Sequence, residues 1–376
     1  MRVLVTGGAG FIGSWLVESL LAAGHSAIVV DNLSPQIHGA MPAPQLAWID
    51  EPRVQFIRGD VRDVDLMDKA LAEVDAVVHL AAETGTGQSM YQIRHYYEVN
   101  VQATAALFEL VGTRHRHVGR IVMASSRSIY GEGAYRLGGQ IVVPQPRSAA
   151  ALSAGRFEPT GPGGEALTLI ATPESAPPQP ASVYAATKLA NEQLGKVFAE
   201  AYGTSVFALR FQNVYGERQS LRNPYTGILS IFSNRMRENL PINLFEDGLE
   251  SRDFVHVSDV VNSIVLALTS DSKGFQALNI GAGVATSVEA VASLLRRLLK
   301  SESTLTVSGD FRAGDIRHCY ADLSRAEAEL GFKPAVSLED GLSRFVDWVL
   351  TQAVLVDHSV AAQAELQRLG LGRTAG

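Results

Sequence analysis

The chain lacks several features that would define other kinds of protein. With one cysteine, Cys319, it can form neither an internal disulfide nor a multi-cysteine zinc site, and no metal is expected. No apolar run approaches the roughly 18–20 residues of a membrane-spanning helix. The opening, Met1-Arg2 followed by Val3-Leu4-Val5 and glycines, does not read as a secretion signal. Only 19% of residues are charged, which excludes a disordered acidic chain, and a net charge of −7 argues against a nucleic-acid binder. No internal repeat or low-complexity tract is visible. What remains is ample core material: 46% of the 376 residues are apolar, and the length allows about two domains. A globular protein of the cytoplasm is the expectation.

Near-continuous apolar runs at 2–6, 26–31, 54–58, 76–80, 120–125 and 205–210 predict strands covered on both faces. Helical patterns at 11–23, 63–72, 92–113 and 184–202 lie between them. This alternation predicts an α/β fold, a doubly wound parallel Rossmann sheet whose ligand binds beyond the carboxyl ends of the strands. After residue 211 the rhythm loosens. Helices are expected near 227–239, 258–269, 287–300 and 339–350, with a strand-like piece at 278–280. Residues 1–211 are therefore assigned to the sheet domain, and 212–350 mainly to a smaller substrate domain with segments returning to the sheet. Residues 351–376 form a tail with a plausible amphipathic helix. Within the first domain, 131–181 is a Gly-, Pro-, Ala- and Ser-rich insertion. At roughly fifty residues it is long for a connection inside a compact domain. It reads either as a surface excursion or as a flap over the active site.

Thr6 to Gly13 reads TGGAGFIG, directly after the first strand and at the start of the first helix. Gly7 permits the turn, Gly10 lets backbone amides approach a pyrophosphate, and Gly13 allows close helix–strand packing. Phe11 and Ile12 complete the loop. Asp31 ends the second strand, where a carboxylate can accept hydrogen bonds from an adenosine ribose and repel a 2′-phosphate. Asn32-Leu33-Ser34 follows it with no arginine, which favours NAD over NADP. Asp60-Val61 sits where adenine could be contacted, although Asp60 would serve equally as a helix cap. Leu80-Ala81-Ala82 closes the fourth strand with residues small enough to lie against a cofactor.

Tyr184 and Lys188 stand at i and i+4 on one helix face. A neighbouring cation favours the phenolate and would lower the tyrosine pKa towards the range of a general base. The pair alone is weak, arising by accident in roughly one such chain in six. Ser126 adds to it, since it closes the strand RIVMAS, where a doubly wound sheet places its ligand. A hydroxyl there could hold a substrate oxygen and relay its proton, or Ser125 and Ser126 could simply cap a turn.

Over about residues 1–350 the chain resembles the extended short-chain dehydrogenases/reductases of the nucleotide-sugar epimerase/dehydratase family. The carrying motifs are TGGAGFIG, DNL at 31–33, GDVRD at 59–63, HLAA at 79–82, SSRSIYG at 125–131, YAATK at 184–188, RFQNVYG at 210–216, RDFVHVSDV at 252–260 and RAGDIRHCYAD at 312–322. The resemblance implies NAD as cofactor, with Asn100 among its contacts, and a catalytic set of Ser126, Tyr184 and Lys188. Lys188 would also hold the nicotinamide ribose. It implies a nucleotide-sugar substrate: Asn213 near the diphosphate, Arg252 and Arg312 as its clamp, Asp315 on the nucleoside ribose, and Thr84 and Ser89 near the hexose. A homodimer formed by pairing helices 92–113 and 184–202 is also implied, with Leu107, Leu110 and Val111 as candidate members of an exposed apolar stripe.

Dehydratases of the family carry an Asp-Glu pair immediately after the catalytic hydroxyl. Here those positions are Arg127 and Ser128, which disfavours dehydration. The resemblance then implies inversion at C4 of a dTDP- or UDP-linked hexose or 6-deoxyhexose through a transient 4-keto sugar. DNLSPQIHG at 31–39, AAETGTGQSMY at 81–91 and the insertion after YGEGAY resemble dTDP-L-rhamnose 4-epimerases and related sugar epimerases. UDP-glucose 4-epimerisation, a net NAD(H)-dependent redox enzyme and a cofactor-sensing module are the alternatives.

Overall fold

Seven apolar segments pair into one parallel sheet. Its strands are β1 (Arg2–Thr6), β2 (Ser26–Asp31), β3 (Val54–Arg58), β4 (Ala76–His79), β5 (Arg120–Ser126), β6 (Ser205–Phe211) and β7 (Phe275–Ile280). The spatial order is β7-β6-β5-β4-β1-β2-β3, so the chain reverses direction across the sheet between β1 and β4. That reversal opens a crevice at the carboxyl ends of the strands. The computed structural model describes residues 1–39, 46–221, 227–312 and 315–354, together with Glu365, Arg368, Leu369, Gly372 and Arg373.

Alternate residues of each strand serve two cores, one on each face of the sheet. Val3 and Val5 of β1 join Leu16, Val17 and Leu20 of helix α1 (Phe11–Ala22) and the helix Val257–Thr269. Leu4 faces the other way, towards helices α2 (Val64–Leu71), α3 (Ala103–Thr113) and α4 (Val183–Tyr202). Helix α4 starts where the Ser182 side chain accepts the Ala185 amide at 3.1 Å, and it stops at Gly203 in the left-handed region. By contrast, no side chain caps the first turn of α1.

The chain after residue 211 builds a third core, from Leu229, Phe232, Ile242, Leu244, Val291, Leu295, Leu342 and Phe345, yet returns to the sheet with the helix at 257–269 and with β7. The strand-like 278–280 is thus the end of a six-residue edge strand of the main sheet. Most of the 351–376 tail, including its expected helix, lies outside the described residues.

The 131–181 excursion folds as a three-stranded antiparallel patch: Tyr135–Leu137 pairs with Gln140–Val142 and with Thr168–Leu169. It leans on the smaller lobe through buried charge. Arg147 contacts Glu132 and, at 2.8 Å, Glu246, while Arg317 binds Glu246 and Asp247. None of its described residues lines the crevice, so the flap reading gives way to a buttress. Leu107, Leu110 and Val111 also depart from expectation. They are buried in the core against Phe198, because α3 turns its apolar side to the sheet.

Candidate active site

A cavity of about 510 Å³ occupies the crevice. Its wall begins at the glycine loop. Gly7 turns with φ +69, and a Cβ there would stand 2.8 Å from the Ala81 nitrogen. A Cβ on Gly13 would stand 2.3 Å from the Gly7 carbonyl oxygen. Only glycine fits either place. The uncapped start of α1 opens onto the same wall, with Gly10, Phe11 and Ile12 lining it. Unpaired amides at a helix N-terminus suit a pyrophosphate.

Asp31 is buried beside the loop, and its carboxylate accepts the Ala9 amide at 3.0 Å and the Leu33 amide at 2.9 Å. It shapes the loop as well as facing the cavity. His38, within the stretch 31–39 but not singled out there, stands 3.8 Å from it. Asn32 donates to Asp60 at 3.1 Å, and Asp60 is held by Arg62 at 2.8 Å, which keeps its carboxyl far below the ordinary range. Val61, Leu80, Ala81, Ala82 and Thr84 all line the cavity. A loop shaped for a pyrophosphate, a buried carboxylate at the end of the second strand and a wall of small residues together fit a dinucleotide.

Asn100 does not line the cavity. Its amide accepts the Glu83 amide at 2.8 Å and donates to the Glu83 carbonyl and to Thr187, tying the loop after Ala82 to α4. It stands behind the cofactor wall, because a buried amide is fully consumed by these partners. Ser89 is likewise internal, receiving the Tyr184 amide at 3.0 Å.

At the other end of the cavity, β5 and α4 bring Ser126, Tyr184 and Lys188 together. Ser126 lies near the Tyr184 phenol, and its hydroxyl accepts the Ser128 amide at 3.2 Å. Burial pushes the phenol above the usual tyrosine value, and the Ser126 hydroxyl and the Arg127 cation act against that rise. The expected lowering by Lys188 is therefore corrected. Its ammonium donates to the Ala124 carbonyl at 2.8 Å, sits 5.8 Å from the tyrosine ring centre, and is itself pushed down to about 8 by burial. The net direction at the phenol is set by burial rather than by the i, i+4 spacing.

A buried network fixes this end. Arg210 donates to Glu192 at 2.7 Å and to the Tyr130 hydroxyl at 2.7 Å, while Tyr130 donates to Asn279 at 2.8 Å. Strands β6 and β7, helix α4 and the turn Arg127–Tyr130 are thereby locked to one another.

The substrate side is only partly assembled. Asn213 lines the cavity, with its Oδ1 buried and unpartnered among the described residues. Arg252 does not line it: its guanidinium donates to the carbonyls of Ser251, Ile316 and Arg317. Its expected place in a phosphate clamp is corrected to that of a brace, since those carbonyls consume three of its donors. The Arg312 side chain lies outside the described residues. Asp315 is exposed and does not line the cavity, and its carbonyl receives Arg147 at 2.8 Å. Two polar residues absent from the sequence reading join the wall, Gln212 and Gln219, with buried amide atoms that lack partners among the described residues. Gln212 directly follows β6, and that position at a strand's carboxyl end was the available signal. Cys319 is buried, and its thiol is pushed up by desolvation.

Residues 3–281 match the model of the NAD dependent epimerase/dehydratase family. The chain is 39% identical to the dTDP-L-rhamnose 4-epimerase of Burkholderia thailandensis, over 93% of this chain and 94% of that one. Among solved structures it is similar to the Thermotoga maritima UDP-glucose 4-epimerase with UDP-glucose, with a TM-score of 0.74, 29% identity, and coverage of 93% and 98% of the two chains. It is also similar to the Thermus thermophilus UDP-glucose 4-epimerase complex with NAD, with a TM-score of 0.73, 30% identity, and coverage of 94% and 100%.

Proposed function

The chain belongs to the NAD dependent epimerase/dehydratase family, and from that premise we propose that it inverts C4 of a dTDP- or UDP-linked hexose or 6-deoxyhexose. It is an NAD-dependent nucleotide-sugar 4-epimerase. The 39% identity to a dTDP-L-rhamnose 4-epimerase supports a substrate of that type. The observation that carries the reading is the continuity of one cavity from the glycine loop to Ser126, Tyr184 and Lys188.

NAD supplies a hydride acceptor, and then a hydride donor, for the sugar carbon. The chain's own groups handle the proton. Tyr184 takes it from the 4-hydroxyl and later returns it, and Ser126, close to the phenol, polarises the same oxygen. Lys188 holds the nicotinamide ribose from its anchored position against β5. Gln212 and Asn213 offer buried polar atoms to the substrate side. Arg127 and Ser128 replace the acid–base pair that elimination of water would need, so the ring keeps its substituents. Because the cycle consumes no cofactor, NAD should remain bound through purification.

We also assign the protein to the cytoplasm, on its acidic composition and lone buried thiol, and to a homodimer. Among the described residues no helix is long and apolar enough to cross a membrane. The dimer is supported by exposed apolar side chains on two packed helical segments: Ile93 (52% exposed) and Tyr97 precede α3, and Val197 (63% exposed) lies on α4. The function is tested by supplying dTDP- and UDP-sugars to the NAD-loaded protein and reading C4 configuration by NMR. Tyr184→Phe should retain NAD and lose turnover. Products that are only dehydrated or reduced would refute the epimerase assignment.

A further inference from the structure

Arg127 is a cation with no hydrogen-bonded or ion-paired partner among the described residues. It opens the turn Arg127–Tyr130 directly after Ser126, and it lines the cavity beside Tyr184. Among the described residues its guanidinium donates no hydrogen bond and forms no ion pair. The described neighbouring cations are occupied: Lys188 on the Ala124 carbonyl, Arg210 on Glu192, and Arg252 on three carbonyls. A half-buried guanidinium normally finds a carboxylate or carbonyl, so an unpaired one turned to a reaction cavity marks a field kept for something else. The turn that carries it cannot drift, because Tyr130 is fixed by Arg210 and Asn279.

We infer that Arg127 is a positioning residue for the base of this site, supplying the positive field that favours the Tyr184 phenolate during proton transfer. The inference rests on Tyr184 being that base. The groups facing the phenol are few. Ser126 lies beside it, Lys188 lies on its own helix with its charge drawn towards β5, and Tyr96 faces it from the segment before α3. The groups facing Arg127 are Arg252, Asp315, Cys319 and Tyr184 itself. Burial and the like charge of Arg252 push Arg127 down only to about 10, so it stays cationic at neutral pH. Its charge also opposes the upward push that burial exerts on Tyr184. Arg127 lies on the turn after β5, whereas Lys188 shares helix α4 with Tyr184.

The test is a spectral titration of Tyr184 in NAD-loaded protein. Tyrosinate absorbance is read as wild type minus Tyr184→Phe, and again as Arg127→Met minus the Arg127→Met/Tyr184→Phe double variant. The midpoint should rise by about one pH unit in Arg127→Met, leaving roughly tenfold less phenolate at neutral pH. Arg127→Lys, which keeps the charge, should stay near wild type. The acid limb of kcat/KM should move with the spectral midpoint, and alkaline pH should restore activity. Arg127→Gln repeats the charge loss should methionine disturb the turn. An unmoved midpoint refutes the inference. That holds whether activity falls equally at every pH, as for a pure substrate contact, or only the affinity for nucleoside diphosphate falls, as for a phosphate ligand. Failure of the wild type to epimerise any nucleotide sugar would instead overturn the proposed function and leave the titration readable.

Discussion

Replacing Gly13 with alanine should strip the protein of NAD while leaving most of the fold in place. The added Cβ would sit 2.3 Å from the Gly7 oxygen and 2.5 Å from the Gly8 Cα, whereas ordinary contact begins at 3.4 Å. The neighbours must therefore retreat by 3.4 − 2.3 = 1.1 Å. Both are backbone, so no side chain can rotate aside. Gly7 cannot absorb the shift either, because it is held by the Val30 carbonyl at 2.8 Å and lies against Ala81. Overpacking of this kind costs about 1–3 kcal/mol of stability. Binding suffers more, since a displacement of about 1 Å can cost on the order of a hundredfold where geometry is strict. Gly119→Ala is the control, because a Cβ there meets nothing within 4 Å. The assay is the NAD content of the purified proteins, released by denaturation, together with thermal melts with and without added NAD. Gly13→Ala protein that purified with a full complement of NAD and melted as wild type would refute the close-approach reasoning.

Two further perturbations follow from the same geometry. Lys188 has a folded value of about 8 against 10.5 for the free side chain, so between those limits the unfolded chain binds more protons and stability rises with pH; the penalty is full below about 8. The gap of 10.5 − 8, at about 1.4 kcal/mol per unit, sets an upper limit of about 3–4 kcal/mol, from which the lost Ala124 hydrogen bond removes about 1. NAD-free Lys188→Met should therefore be about 2 kcal/mol more stable than wild type at pH 7 by urea unfolding, yet inactive. The advantage should vanish towards pH 10.5, and equal or lower stability at pH 7 would count against a buried cation. Val197→Glu places a charge on an exposed side chain, so the monomer should fold normally while sedimentation shows the dimer dissociating.

Residues close in sequence made the cofactor half of the site legible. A glycine loop between a strand and a helix, an aspartate at the end of the next strand and a small-residue stretch after the fourth are local patterns, and their physics is local too. Helices were readable for the same reason, since Ser182 and Gly203 mark the ends of α4 within the chain itself. The buttress role of 131–181 was not legible, because it depends on Arg147 meeting Glu246, 99 residues away. Arg252 read as a phosphate ligand until its donors were found on carbonyls 64 and 65 residues distant.

The sequence by itself determined the elements and the dinucleotide loop and brought out Ser126, Tyr184 and Lys188, which the fold gathers on one cavity, because periodicity, turns and motif spacing act over a few residues. Tertiary structure alone decided where the charges go. The burial that lifts Tyr184, the carbonyl that occupies Lys188 and the absence of any partner for Arg127 among the described residues all arise from packing between distant strands and helices. Electrostatic strength depends on separation and on exclusion of water, and both are properties of the assembled fold rather than of neighbours along the chain.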